Sequence, residues 1–146
     1  MNDTTATTAG SEAPSGHQPP ILRLQNIERG IGGATATFMA GPEHLNIKGM
    51  LHGGIIAGLM DVIMTIAAGA HPDPAKRRFS ITLSLSLNFI ASAGQGPLAL
   101  RAETTGGGKR TCFCEGRIED ASGNAVATAQ GAFKLLAAGS EPEPET

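Results

Sequence analysis

Between Gly53 and Ala70 the chain reads GGIIAGLMDVIMTIAAGA, and Asp61 is its only ionisable residue. A carboxylate in so apolar a run must find a partner, shift its pKa or do chemistry. Just ahead lie Asn46 and the triplet His52-Gly53-Gly54. The first N–H groups of a helix have no acceptor within it and sit at the positive end of its dipole. Glycines there leave those amides uncovered, so a carbonyl oxygen can approach and be polarised as an oxyanion develops. A nearby carboxylate can attack that carbonyl or activate water. Gly53 and Asp61 are eight residues apart, about 12 Å along one helix, too far for both to serve one carbonyl. A second copy running antiparallel across a two-fold axis supplies the missing half, so the spacing argues for a site shared between subunits. A purely structural reading fits each residue taken singly: His52 as a hydrogen bonder at the helix start, the glycines as close-packing residues, Asp61 bonded to a neighbouring backbone.

Positioning these groups falls to the flanking elements. Ala, Leu, Met and Ile favour helix, and Gly53–Gly69 is too long for a buried strand and too short, with its carboxylate, to span a bilayer. Such a helix, apolar on nearly every side, must be wrapped by other structure. Before it, Ile21–Ile27 and Ala34–Met39 alternate as strands around glycines 30, 32 and 33; after it come Ser80–Ile90, Leu98–Thr105, Thr111–Glu119 and Ala125–Leu136. Two strands, one long helix and four strands predict an α+β fold, an antiparallel sheet of five to six strands covered on one face. Residues 1–20 and 139–146, poor in anything to bury, are expected to be disordered tails around one domain at 21–138.

Composition excludes several classes. The domain carries a formal charge of about +3 once the five acids of the tails are set aside, which suits an anionic small molecule. It lacks the dense basic clusters and the aromatic residues of a nucleic-acid binder. Gly106–Lys109 is not a phosphate loop, Gly30–Gly33 lacks a dinucleotide fold's setting, and no Gly-x-Ser-x-Gly elbow is present. The histidines and cysteines show no metal-ligand spacing, so neither metal nor cofactor is expected. Cys112 and Cys114 would share one strand face and cannot easily bridge; they read as reduced, buried thiols of an intracellular protein. No signal sequence is visible, which makes the cytoplasm the expected setting.

The pattern Asn46-x5-His52-Gly53-Gly54-x6-Asp61, with Thr82–Phe89 (TLSLSLNF) and Gly108-Lys-Arg-Thr111, resembles the hotdog-fold acyl-CoA thioesterases of the PaaI-like group over roughly residues 21–136. The resemblance implies a central helix wrapped by the sheet, and a homodimer as the minimal unit within a homotetramer. It implies that the Gly53 amide polarises the thioester carbonyl with Asn46 and His52 orienting it. Asp61 of the facing subunit would be nucleophile or general base, and Thr82 would hold the water or the carboxylate. Gly54, Gly108, Lys109, Arg110 and Thr111 would contact the acyl-CoA, with Arg77 and Arg78 as second candidates for its phosphates. Relatives often have Leu-Arg-Pro after the Asn-Phe of this strand; here Ile90-Ala91-Ser92 replaces it, so the nucleotide contact must differ. An aryl-acetyl, aromatic or medium acyl group would fit. Two alternatives stand beside hydrolysis: a non-catalytic acyl-CoA-binding protein with a regulatory role, and a hydratase or dehydratase on the same fold.

Overall fold

The computed structural model describes residues 18–138; of the expected tails at 1–20 and 139–146, residues 1–17 and 139–146 lie outside the described residues. Strands β1 (Gln25–Gly30) and β2 (Gly33–Ala40) form a hairpin whose turn uses Gly32 at φ 62°, the left-handed region where glycine carries no Cβ penalty. Helix α1 (Gly53–Ala68) follows an irregular segment, and then come β3 (Ser80–Phe89), β4 (Gly96–Gly107), β5 (Thr111–Glu119) and β6 (Ala125–Leu135). All pair antiparallel in one sheet of order β1-β2-β4-β5-β6-β3.

Alternation along the strands turns one face onto the helix. Ala34, Ala36, Phe38 and Ala40 of β2, Leu98, Leu100 and Ala102 of β4, and Cys112, Cys114 and Ile118 of β5 are all buried. Leu59, Met60, Ile63, Met64 and Ala67 of α1 meet them with no exposed surface. The sheet approaches closely at Gly116, where an added Cβ would stand 2.6 Å from the Met60 sulfur; glycine there is a packing requirement. The wrapping is incomplete on one side. Asp61, Val62, Thr65 and Ile66 stay half-buried, and because Thr65 and Ile66 follow Asp61 and Val62 by four residues each, they form one helical stripe.

One expected element differs. Ile21–Ile27 is not one strand: Pro20–Leu22 makes a 3-10 turn, and β1 begins only at Gln25. Prolines at 19 and 20 pre-set a turn, and Leu22 N–H donates to the Pro19 carbonyl at 2.8 Å. Leu22 then packs into the gap above Gly58, where a Cβ would collide with it at 2.6 Å. The turn also takes in Pro20, which belonged to the expected tail. Cys112 and Cys114 are free, buried and on the same face, as their spacing predicts. Among the described residues no helix is long and apolar enough to cross a membrane.

Candidate active site

Asp61 sits near the middle of α1, where the uncovered stripe meets β3. Thr82 of β3 donates its hydroxyl proton to Asp61 Oδ1 at 2.6 Å, a short charge-assisted bond. The pairing depends on a bulge between Thr82 and Ser84 in the ladder to β6. Thr82 stands opposite Phe133, which is wholly buried, so its side chain belongs to the face that looks at the helix. Thr65, one turn beyond Asp61, places its hydroxyl 3.5 Å from that of Thr82; with the Thr82 proton committed to the carboxylate, Thr65 is the donor of that contact. Ser80 donates to the Thr65 carbonyl at 2.9 Å, fastening the strand to the helix beside the acid.

These groups open into a cleft of about 450 Å³ lined by Asp61, Val62, Thr65, Ile66, Phe79 and Thr82, with Gln18, Arg29, Arg77 and Arg78 at its polar side. Arg78 braces the rim: it donates to the Leu136 carbonyl at 2.7 Å and to the Lys109 carbonyl at 2.8 Å. It thereby ties the cleft to the β4–β5 turn, where Gly108 N–H closes onto the Thr111 carbonyl at 2.8 Å. Lys109 and Arg110 are exposed on that turn. Arg77 donates to the His71 carbonyl at 3.0 Å. A second and larger depression lies on the opposite face of the sheet and shares only Arg29 with this cleft.

The start of α1 is built separately. Asn46 Oδ1 accepts from the N–H groups of Lys48 (2.9 Å) and Met50 (3.1 Å), closing the turn that leads into the helix. His52 is the N-cap, its Nδ1 accepting from Gly54 N–H at 2.9 Å. Neutral His52 then carries its proton on Nε2 and presents a donor to solvent. The Gly54 amide is therefore engaged, whereas the Gly53 N–H has no acceptor among the described residues. A Cβ on Gly53 would meet nothing closer than the Phe89 ring at 3.6 Å, an ordinary contact, so the fold itself does not demand glycine there. Buried His44 supports this turn by accepting from Gly41 N–H and donating to the Ile21 carbonyl, each at 2.9 Å, while its own carbonyl accepts from His52 N–H.

One chain thus brings Asp61 and Thr82 together and holds Asn46, His52, Gly53 and Gly54 together at the far end of the helix half. The turn at Gly108–Thr111 joins the first group through Arg78. Thr65 went unnamed in the sequence reading, although its i+4 spacing from Asp61 puts both on one helix face. Gln18, Arg29 and Phe79 carried no comparable local signal; only the folded chain brings them to the cleft.

Comparison with known proteins bears on these groups. The chain matches the thioesterase superfamily over residues 48–127. A conserved protein of Pseudomonas aeruginosa is similar in structure at 28% identity and TM-score 0.71, covering 80% of this chain and 90% of that one. A hypothetical thioesterase of Streptococcus pneumoniae, solved with coenzyme A, aligns at 22% identity and TM-score 0.68 over 81% of this chain and 88% of its own. The E. coli PaaI protein of the phenylacetic acid degradation operon shares the fold at 20% identity and TM-score 0.66, over 73% and 75% of the two chains.

Proposed function

Because the chain belongs to the thioesterase superfamily and is a thioester hydrolase, we propose that its substrate is an acyl-CoA and that two copies of the chain build each active site. The observation that carries this reading is the pair formed by a cleft-lining carboxylate held by Thr82 at 2.6 Å and an open Gly53 amide at the helix start. Reacting atoms must come within about 3–3.5 Å of each other, while the two groups stand about 12 Å apart along α1. A two-fold partner with its α1 antiparallel brings its Asp61 to the first copy's Gly53. The uncovered stripe of α1 and the open edge of β3, with Ile81 and Leu83 half exposed, give that partner an apolar seat.

In this site the Gly53 N–H donates to the thioester oxygen. Asp61 of the partner copy takes a proton from water, and the resulting hydroxide adds to the carbonyl carbon. The oxyanion so formed is held by the amide dipole and the helix N-terminus. Collapse expels the CoA thiolate, which recovers the proton from Asp61, leaving free acid, free thiol and an ionised carboxylate. Direct attack by Asp61 through an anhydride uses the same geometry. Val62, Ile66 and Phe79 supply an apolar bed for an aryl-acetyl, aromatic or medium-chain acyl group. Lys109 and Arg110, exposed and close to the cleft through Arg78, meet the CoA phosphates in this reading. Two buried free thiols favour a reducing, cytoplasmic setting.

A thiol-release assay across short, medium, long and aromatic acyl-CoAs tests the reading. Asp61→Ala should lower kcat by about 100-fold or more with the sedimentation profile unchanged. Saturable acyl-CoA binding by the wild-type chain without thiol release would replace the enzyme reading with a binding protein.

A further inference from the structure

The cleft that holds Asp61 is lopsided in its hydrogen-bonding groups. Near the acid every lining hydroxyl is spent inside the protein: Thr82 donates to Asp61, Thr65 to Thr82, and Ser80 to the Thr65 carbonyl. Past Val62, Ile66 and Phe79 the lining is made of donors, with Gln18 and Arg78 beside Arg29 and Arg77. Arg29 and Arg77 hold partners of their own. Gln18 and Arg78 are only partly engaged. Gln18 Oε1 accepts from Leu24 N–H at 3.0 Å, which leaves the side-chain NH2 as a donor with no acceptor among the described residues. Arg78 gives Nε to the Leu136 carbonyl and Nη2 to the Lys109 carbonyl. Its Nη1 has no acceptor, and because both carbonyls are neutral its charge meets no anion among the described residues. Its backbone N–H donates to the Gly69 carbonyl at 3.0 Å, eight residues beyond Asp61 and so about 12 Å further along the helix axis.

Building on the acyl-CoA reading, we propose that the acyl group this cleft takes ends in a carboxylate, bound by Arg78 and Gln18 at the end away from Asp61. A thioester carbonyl placed at Asp61 sends its acyl chain over Val62, Ile66 and Phe79, and the far end of the chain arrives at the donors. A methyl end would strip water from those donors and leave them unpaired. A hydroxyl end would accept a bond and leave the charge unmet. A carboxylate accepts from both side chains and neutralises the guanidinium, whose planar fork, half-buried and held by two carbonyls, is already oriented for it. Asp61 is the only carboxylate among the lining residues, so the protein offers that fork no acid of its own at this end. The phosphates of CoA share the same oxyanion chemistry. They are met outside by the exposed Lys109 and Arg110 in the acyl-CoA reading, whereas Arg78 lines the cleft itself.

Hexanoyl-CoA and hexanedioyl-CoA, equal in chain length and different only at the far end, test this by thiol release from the full chain. Wild-type kcat/KM should favour the carboxylate end by about 10- to 100-fold, the worth of charge-assisted hydrogen bonds. Arg78→Gln should bring that ratio to parity or below, and Gln18→Leu should lower it. Gln18 bonds only the Leu24 N–H, so its variant remains informative if Arg78, which braces β6 and the β4–β5 turn, proves necessary for folding. Equal losses on both thioesters in Arg78→Gln, with the ratio kept, would assign Arg78 to the CoA phosphates and overturn the proposal. A wild-type ratio at or below parity would overturn it too, while leaving the acyl-CoA reading in place. No thiol release from this pair or from aromatic and longer acyl-CoAs would end that reading and the proposal with it.

Discussion

On the proposed reading, Gly53 and Asp61 separate what the fold needs from what the chemistry needs. Gly58 in α1 and Gly69 just past its end answer to packing: Gly58 admits Leu22, and Gly69 lies where a Cβ would stand 1.7 Å from the Arg78 carbonyl oxygen. Gly53 answers to nothing in its own chain, so a methyl group there should leave thermal stability within a few degrees of the wild type. Hydrolysis should nevertheless fall toward the roughly 10²-fold cost of losing an oxyanion donor, because the methyl occupies the approach to the amide; unchanged kcat/KM in Gly53→Ala would remove that amide from the site. The two cysteines make a different kind of prediction. Burial pushes the Cys112 thiol up, against smaller pulls downward from the Cys114 hydrogen bond and the Arg78 charge. Burial, then the neighbouring Cys112, raises Cys114 from 9.0 to about 12. The folded state therefore holds its thiol protons where the unfolded chain has released them. Stability from these groups is present in full below pH 9.0 and is lost as pH rises toward about 12. Denaturant titrations at pH 8 and pH 10.5 should show that loss, and Cys112→Ala/Cys114→Ala should flatten the difference.

At the scale of elements, β3 and α1 form a unit with one side finished and one side open. The finished side is the contact of α1 with β2, β4 and β5 through residues with no exposure. The open side is the stripe from Asp61 to Ile66 beside a free strand edge. An unpaired edge with half-exposed Ile81 and Leu83 is a ready template for another strand. A charge on that edge is the device by which proteins refuse such pairing. Leu83→Lys should therefore halve the particle mass and reduce hydrolysis together, read by sedimentation and thiol release on the same sample. Loss of mass with full activity would show that one copy suffices for catalysis.

For the molecule as a whole, the sheet divides the labour: on the proposed reading one face and its β3 edge serve thioester chemistry, while the other sets Arg101 opposite Arg117 and Glu103 opposite Glu115. Much of this plan is local and therefore legible in the letters. The apolar run around Asp61 dictates a buried helix, and period-two alternation marks β3 to β6, because a helix or strand must repeat its apolar residues at its own pitch. Motif spacing, too, is a local property, and His52-Gly53-Gly54 with Asp61 points to the superfamily from the letters alone. Ile21–Ile27 misled because alternation there competes with Pro19-Pro20, whose fixed backbone angle makes a turn. What only the tertiary structure decided depends on which residues stand opposite one another. Thr82 reaches Asp61 across 21 positions of sequence because a bulge in β3 sets its register, and Arg78 joins the cleft to the turn at Lys109 in the same way. The rows of Arg101 with Arg117 and Glu103 with Glu115 exist only because β4 and β5 pair in one register. Shifting that register by a single residue would turn every one of these side chains to the other face, and no local periodicity encodes which partner residue lies across the ladder.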